Sequence, residues 1–292
     1  MDEAIFELYE MCFHKMLQNE KQLENIFKID SVTDERCAKC NKSVKIFIKN
    51  VFQRKIKCSF CDTRKTINSI KPNFCKQDFI ELIYLIYYFS LDCNFSLIKK
   101  LTRCTDYVLN KFQGAILQEI DKEHNRHFDK IGGENLIVEV DESFVGKRKY
   151  NIGRINNQKI ILGGICRNSK RFFMKIISSR NKKTIGEAIE SHINPGTTIF
   201  TDQWSSYLYF FKENTHYTHN FVNHKLYFVD PIDKTHTQNI ESLWSRFKKF
   251  KRRKQYLKQK KLHLYIAEFS LRKKYEGDDL GLFSFLIRLV FN

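Results

Sequence analysis

Apolar residues recur every three to four positions over the first part of the chain and in short β-branched runs further on, and this change of rhythm divides the sequence. Over residues 1–33, Ile5, Leu8, Tyr9, Cys12, Phe13, Met16 and Leu17 follow the i, i+3, i+4, i+7 spacing of one helix face, which predicts a small helical lead-in. From residue 76 to about 130 the period is again helical. An apolar segment runs to Leu91, a short one from Asn94 to Leu101, and a longer one follows Thr105 with Val108, Leu109, Phe112, Ile116, Leu117 and Ile120 on one face. Thr105 suits an N-cap, and the tight Thr102 to Cys104 break between two helices is what a helix-turn-helix requires. A plain helical bundle with no role at DNA is the alternative.

After Gly132 and Gly133 the runs shorten. Leu136 to Val140, Lys159 to Cys166 and Phe172 to Ser178 read as three strands, with Gly163 and Gly164 an irregularity in the second. A helix follows from about Lys183 to Ile193, stopped by Pro195 and Gly196. Thr197 to Thr201 is a fourth strand, Ser205 to Lys212 a short helix, Phe221 to Val229 a fifth strand and Gln238 to about Lys254 a long helix. The order βββαβαβα predicts an α/β fold, a mixed sheet flanked by helices whose later strands run parallel.

Charge and cysteine content change this picture in one place. Residues 36–76 carry 12 Lys and Arg against the single acid Asp62, and they enclose Cys37, Cys40, Cys58 and Cys61. Cys-x2-Cys-x17-Cys-x2-Cys presents two thiolate pairs from two tight turns, the tetrahedral shell of a structural zinc site, and the run Val44 to Phe52 between them fits a zinc ribbon. The zinc would hold a basic segment that buries too little apolar surface to fold alone. Cys12, Cys75, Cys93, Cys104 and Cys166 lack pairing spacing and read as small apolar residues. The regions expected are therefore a lead-in over 1–33, a zinc ribbon over 34–70, a helix-turn-helix-like region over 71–130 and an α/β domain over 131–292.

The whole chain of 292 residues has 51 Lys and Arg, 33 Asp and Glu, and a net charge of +18, which attracts polyanions. A hydrophobic fraction of 42%, with 26 Phe and 13 Tyr, excludes a mainly disordered protein, and 11 Gly with 3 Pro exclude collagen-like chains. The acidic opening MDEAIFELYE predicts no export signal. The apolar window from Phe79 to Leu91 carries Glu81 and falls short of the roughly 20 residues that span a bilayer, so no membrane partner is expected.

Three carboxylates stand at notable places in the predicted order. Asp141 is read as ending the first strand, Asp202 the fourth, and Glu241 lies one turn into the long helix. Alternation turns Glu139 and Asp141 away from Val138 and Val140. Carboxylates gathered from distant sequence repel unless a cation sits between them, and hard oxygen donors select Mg2+ or Mn2+. Two such ions suit in-line phosphoryl transfer without a nucleophilic side chain. Lys248 shares a helix face with Glu241 and would meet a nearby phosphate. Residues 246–261 hold ten Lys and Arg and no acid, which suits a phosphate backbone, although KKFKRRK also fits a nuclear localisation signal.

The strings VEVDESFVGKRK, ILGGI, NPGTTIFTDQWSSY, VNHKLYFVDP and HTQNIESLWSRFK, from about Leu136 to Phe269, resemble DDE-type transposases with a ribonuclease-H-like catalytic core, of the insertion-sequence class to which the eukaryotic Merlin elements are related. The resemblance implies that Asp141, Asp202 and Glu241 hold catalytic Mg2+ or Mn2+ and that Lys248 is the basic residue following the third acid. Asn239 is a reserve for the third position, and Glu139 and Glu142 are rivals for the first. His236 would orient DNA or simply satisfy a local hydrogen bond. The activity implied is cleavage at terminal inverted repeats and joining of the freed 3′-hydroxyl to target DNA, by a homodimer or larger assembly. A nuclear location is expected in a eukaryote, and the cytoplasm or nucleoid otherwise. The alternatives are a non-catalytic DNA-binding protein derived from a transposase and a ribonuclease-H-like nuclease.

Overall fold

The computed structural model describes residues 36–37, 39–42, 44–50, 53–68, 74, 79–126, 128–146, 158–222, 237–254 and 261–291. The expected lead-in over 1–33 with Cys12, together with Cys75, His236 and the part of the fifth strand beyond residue 222, lies outside them. The chain divides into two compact units, one spanning Met1–Ile120 and Lys274–Asn292 and the other Asp121–Lys273.

In the first unit, β1 (Val44–Asn50), β2 (Gln53–Cys58) and β3 (Arg64–Asn68) form an antiparallel sheet in that order. Helices α1 (Phe79–Ser90), α2 (Phe95–Thr102) and α3 (Asp106–Arg126) follow, α3 passing into the second unit after Ile120. Asn94 caps α2 by accepting from the Leu97 amide at 2.8 Å. Arg103, left-handed at φ 56°, stops α2, and Thr105 Oγ1 accepts from the Val108 amide at 3.3 Å to open α3. Ile98, Leu109, Phe112 and Ile116 are buried, so the apolar periodicity does mark the packed faces.

The second unit is built on a sheet of β4 (Ile137–Val145), β5 (Lys159–Cys166), β6 (Phe172–Ile177), β7 (Thr198–Asp202) and β8 (Thr218–Val222). Their spatial order is β6-β5-β4-β7-β8, with β4–β5 and β5–β6 antiparallel and β4–β7 and β7–β8 parallel. This is the ribonuclease-H-like arrangement. Helices α4 (Lys182–His192) and α5 (Ser205–Glu213) cover one face through Ile185, Ile189, Tyr207 and Phe210, packed on Val138, Val140, Leu162 and Ile199. Helices α6 (Gln238–Lys254) and α7 (Leu262–Lys274) cover the other, where Ile240, Leu243, Trp244 and Phe247 meet Ile161, Ile165 and Met174.

Three sequence expectations change. Strand β4 continues to Val145 because β5 pairs with it from Val138↔Cys166 to Val145↔Lys159, which puts Asp141 inside the strand and not at its end. Strand β8 starts at Thr218, where His219 and Asn220 join the ladder to β7 despite their polarity. The glycine pair is a packing requirement: a Cβ on Gly163 would lie 2.6 Å from the Trp244 ring, and one on Gly164 would overlap Phe173. Lys274–Asn292 groups with the first unit. There α8 (Asp279–Phe291) lays its apolar face on α1, with Phe283 edge-on to Tyr87 at 5.8 Å.

Candidate active site

The alternation of β4 decides which acid faces which layer. Val138 and Val140 enter the core under α4 and α5, and Val145 enters the core under α6 and α7. Glu139 and Asp141 therefore share the α6 face, while Glu142 points to the α4 and α5 face, where its Oε1 accepts from Arg180 Nε at 3.0 Å. Asp141 Oδ2 accepts from Trp244 Nε1 at 3.0 Å, a bond from the strand of the first acid to the helix of the third.

Burial pushes the Asp141 carboxyl up to about 7, and the charges of Glu142 and Asp202 add to that rise against the lowering effects of the Glu142 amide and Trp244. Asp202 is thus an electrostatic neighbour of Asp141, brought there by the parallel pairing of β4 with β7. Asp202 Oδ1 accepts from the Trp204 amide at 3.1 Å, which fixes the turn leaving β7. The Tyr207 phenol is fully buried, and burial and the charges of Glu142, Asp141 and Asp202 hold its pKa well above the usual range.

Glu241 is exposed on the first turn of α6, with Oε1 accepting from Thr237 Oγ1 at 3.2 Å. Lys248 is exposed on the same helix, off the buried stripe of Ile240, Leu243, Trp244 and Phe247. Among the described residues, three or more potential metal ligands close to binding distance at the four cysteines, and the structure does not draw Asp141, Asp202 and Glu241 together to that degree. The donors do suit a hard cation: they are all carboxylate oxygens, and Asp141 carries the penalty of neighbouring negative charge that a dication would remove.

Several residues that matter here were not singled out in the sequence for these roles. Arg167 Nε donates to Glu139 Oε1 at 2.7 Å and its guanidinium lies 4.5 Å from the Phe200 ring centroid. Arg180 sits 4.2 Å over the half-exposed Trp204. Asn239 gives its side-chain amide to Glu139 at 2.7 Å, so its donor group is directed at that carboxylate. Trp244 reads in the sequence as one member of an apolar stripe, and nothing in the pattern marks its N–H.

The cysteine site is built from two matching turns. Cys37 accepts from the Asn41 amide at 2.8 Å and Cys58 from the Asp62 amide at 3.1 Å, and Asn41 and Asp62 are both left-handed, at φ 57° and 53°. Each turn aims two thiols inwards: Cys37 and Cys61 Sγ are 3.5 Å apart, as are Cys40 and Cys58 Sγ, and all four lie within 4.8 Å of one another. Thr63 lowers the Cys61 thiol to about 6, and the Lys39 and Cys40 amides lower Cys37. The Cys40 thiol is favoured for ionisation by the Lys42 amide, yet burial and the other three thiols push it up to about 12. Four thiols cannot all ionise here without a cation, and a tetrahedral dication with soft affinity resolves the conflict. Of the remaining cysteines, Cys104 and Cys166 are buried and Cys93 is half-buried.

Residues 131–274, just under half of the chain, match the family described as ISXO2-like transposase domain. The matched span holds Asp141, Asp202, Glu241 and Lys248. No curated protein matches the chain. Among solved structures it is similar to the HTLV-2 integrase catalytic core domain in complex with magnesium, at 15% identity and a TM-score of 0.32, covering 48% of this chain and 86% of that one. It is also similar to the catalytic core domain of BIV integrase, at 14% identity and TM-score 0.33 over 47% and 84% of the two chains. The Drosophila P element transposase strand transfer complex matches at 10% identity and TM-score 0.30 over 79% and 66%. At such scores these likenesses add nothing to what the sheet order shows.

Proposed function

We propose that the chain is a DDE-type DNA transposase of the insertion-sequence class related to Merlin elements. The match of residues 131–274 to the ISXO2-like transposase domain carries the reading, because it falls on the unit in which Asp141 neighbours Asp202 and is tied to the helix bearing Glu241. Asp141, Asp202 and Glu241 are the residues that would hold Mg2+ or Mn2+. When bound, the ions would supply Lewis-acid stabilisation of the transferring phosphoryl group and a more acidic attacking water.

The chain's own groups have separable tasks. Lys248, on the exposed side of α6, takes the phosphate that follows the scissile bond, and the basic residues further along α6 hold the DNA backbone without reading sequence. Hydrolysis frees a 3′-hydroxyl, which then attacks target DNA, so no protein side chain becomes covalently linked. Cys37, Cys40, Cys58 and Cys61 would hold a structural Zn2+, and the ribbon and helices α1–α3 would read the terminal inverted repeats. Cutting two ends together calls for a homodimer or larger assembly, working in the nucleus if the source is eukaryotic.

The test is incubation with Mg2+ and a supercoiled plasmid carrying the element's flanking inverted repeats. Nicking at the repeat ends, lost in Asp202→Ala, is the expected result. Sequence-specific binding without nicking, the same for wild type and Asp202→Ala, would replace this reading with a non-catalytic DNA-binding protein.

A further inference from the structure

Glu139 is fully buried and receives hydrogen bonds from two distant places. Oε1 accepts from Arg167 Nε at 2.7 Å and from Asn239 Nδ2 at 2.7 Å. Oε2 accepts from the backbone amides of Asn239 at 2.8 Å and Ile240 at 3.1 Å. These last two are the amides immediately before Glu241, at the start of α6. Glu139 itself lies two residues before Asp141 on the same face of β4. One carboxylate therefore joins the backbone that carries the first acid to the backbone that carries the third.

Thr237, which precedes α6, donates its hydroxyl to Glu241 Oε1, and the amides of Asn239 and Ile240 in the first turn reach Glu139. A negative charge at a helix N-terminus meets the positive end of the helix dipole, and Arg167 balances the buried charge from the other side. A second tie, Trp244 to Asp141, lies one turn further along α6 and one two-residue step further along β4. Two bonds at matching steps fix both the position and the rotation of α6 against the strand.

We infer that Glu139 is a positioning residue, a remote N-cap that sets Glu241 at its place relative to Asp141 so that both can serve the same metal-dependent site. The inference rests on the reading of Asp141 and Glu241 as metal-holding acids. In Glu139→Gln the shape is kept, but the amide nitrogen opposes the donors that it now faces and Arg167 loses its counter-charge.

The test measures Mg2+ titrations of plasmid nicking and amide hydrogen exchange on full-length wild type, Glu139→Gln and Asn239→Ala. Expected in Glu139→Gln is a rise of at least tenfold in the Mg2+ concentration for half-maximal nicking. With it should come at least tenfold faster exchange at Asn239 and Ile240, while Phe247 and Phe250 stay protected. Asn239→Ala deletes one bond, leaves the buried charge paired, and should show the same Mg2+ shift at about threefold; it carries the test if Glu139→Gln does not fold. A wild type that nicks beside variants with an unchanged Mg2+ requirement would overturn the positioning role and leave the transposase reading standing. A wild type that nicks under no Mg2+ concentration would overturn both.

Discussion

Trp244 is a core residue with a polar duty. Its ring rests on the backbone of Gly163, where no side chain could stand, and its N–H reaches the carboxylate of Asp141, whose strand pairs Asp141 with Gly163 itself. Trp244→Phe keeps most of the packing and deletes the donor. A loss of about 0.5–1.5 kcal/mol in urea unfolding is expected for the missing bond, with a larger proportional loss of nicking rate than Asp141 burial alone would explain. An unchanged nicking rate would show that the bond does not orient Asp141. His219 gives a pH signature of its own. Burial lowers it to about 4, while Nε2 contacts Thr201 Oγ1 at 2.9 Å and the ring stacks on Phe211 at 4.1 Å. The unfolded chain takes up the proton near the ordinary value of about 6.5, so the folded state is fully favoured above that pH and loses this contribution as pH falls towards about 4. His219→Gln should remove that part of the acid destabilisation, seen in urea unfolding at pH 7.5, 6 and 5. Parallel losses in both proteins would refute it. The sequence reads Asp141 and Asp202 at strand ends and Glu241 one turn into the long helix; the structure places Asp202 at the end of β7 and Glu241 in the first turn of α6, and Asp141 within β4. Arg167 and the Trp244 N–H were not legible there, since their value depends on partners on β4, Glu139 and Asp141, that lie 28 and 103 residues away along the chain.

At the scale of elements, helix α6 is held at both ends by buried carboxylates on neighbours: Glu139 at its start, and Glu268 of α7 at its end, where Lys254 Nζ comes to 3.1 Å and Arg272 Nε to 2.9 Å. Lys254 is therefore engaged with protein, and the basic run offers a polyanion one cation fewer than its sequence suggests. The ribbon strands β1–β3 stand in contrast, since the four thiols are their evident staple. On the proposed reading one zinc is bound per chain, and removing it with a strong chelator or by Cys58→Ser should bring the bound metal to none and collapse the ribbon's amide signals in NMR spectra. Signals from β4–β8 should keep their positions. Persistence of the ribbon signals without metal would show that the thiols are not its staple. Element types were readable from period alone, and Lys159–Cys166 and Gln238–Lys254 fall where the pattern puts them. The end of β4 was not readable: an acid in a strand looks like a terminator until the partner strand β5 is known to run alongside it. The place of α8 was hidden for a similar reason, because an apolar helix face does not say which surface it will cover.

For the molecule as a whole, the excess of 51 basic over 33 acidic residues is a prediction about salt. Each phosphate neutralised on duplex DNA releases condensed counterions, so the logarithm of the binding constant falls linearly with the logarithm of salt concentration by about 0.9 per contact. If α6 holds DNA through its exposed cations, the contribution of each is countable. Arg246, Lys249 and Arg252 are exposed on α6 and lie off its buried stripe. Replacing all three by Ala should lower the salt slope by about 2.7, three contacts at 0.9 each. The change should be equal on inverted-repeat and unrelated duplexes, because phosphate contacts carry no sequence information. Preference for the repeat should survive, since the proposed function assigns it to the ribbon and to α1–α3. Binding measured from 50 to 300 mM salt on both duplexes separates the outcomes. A slope unchanged on both would remove α6 from the DNA contact, and a loss confined to the repeat would move sequence reading from the first unit to this helix.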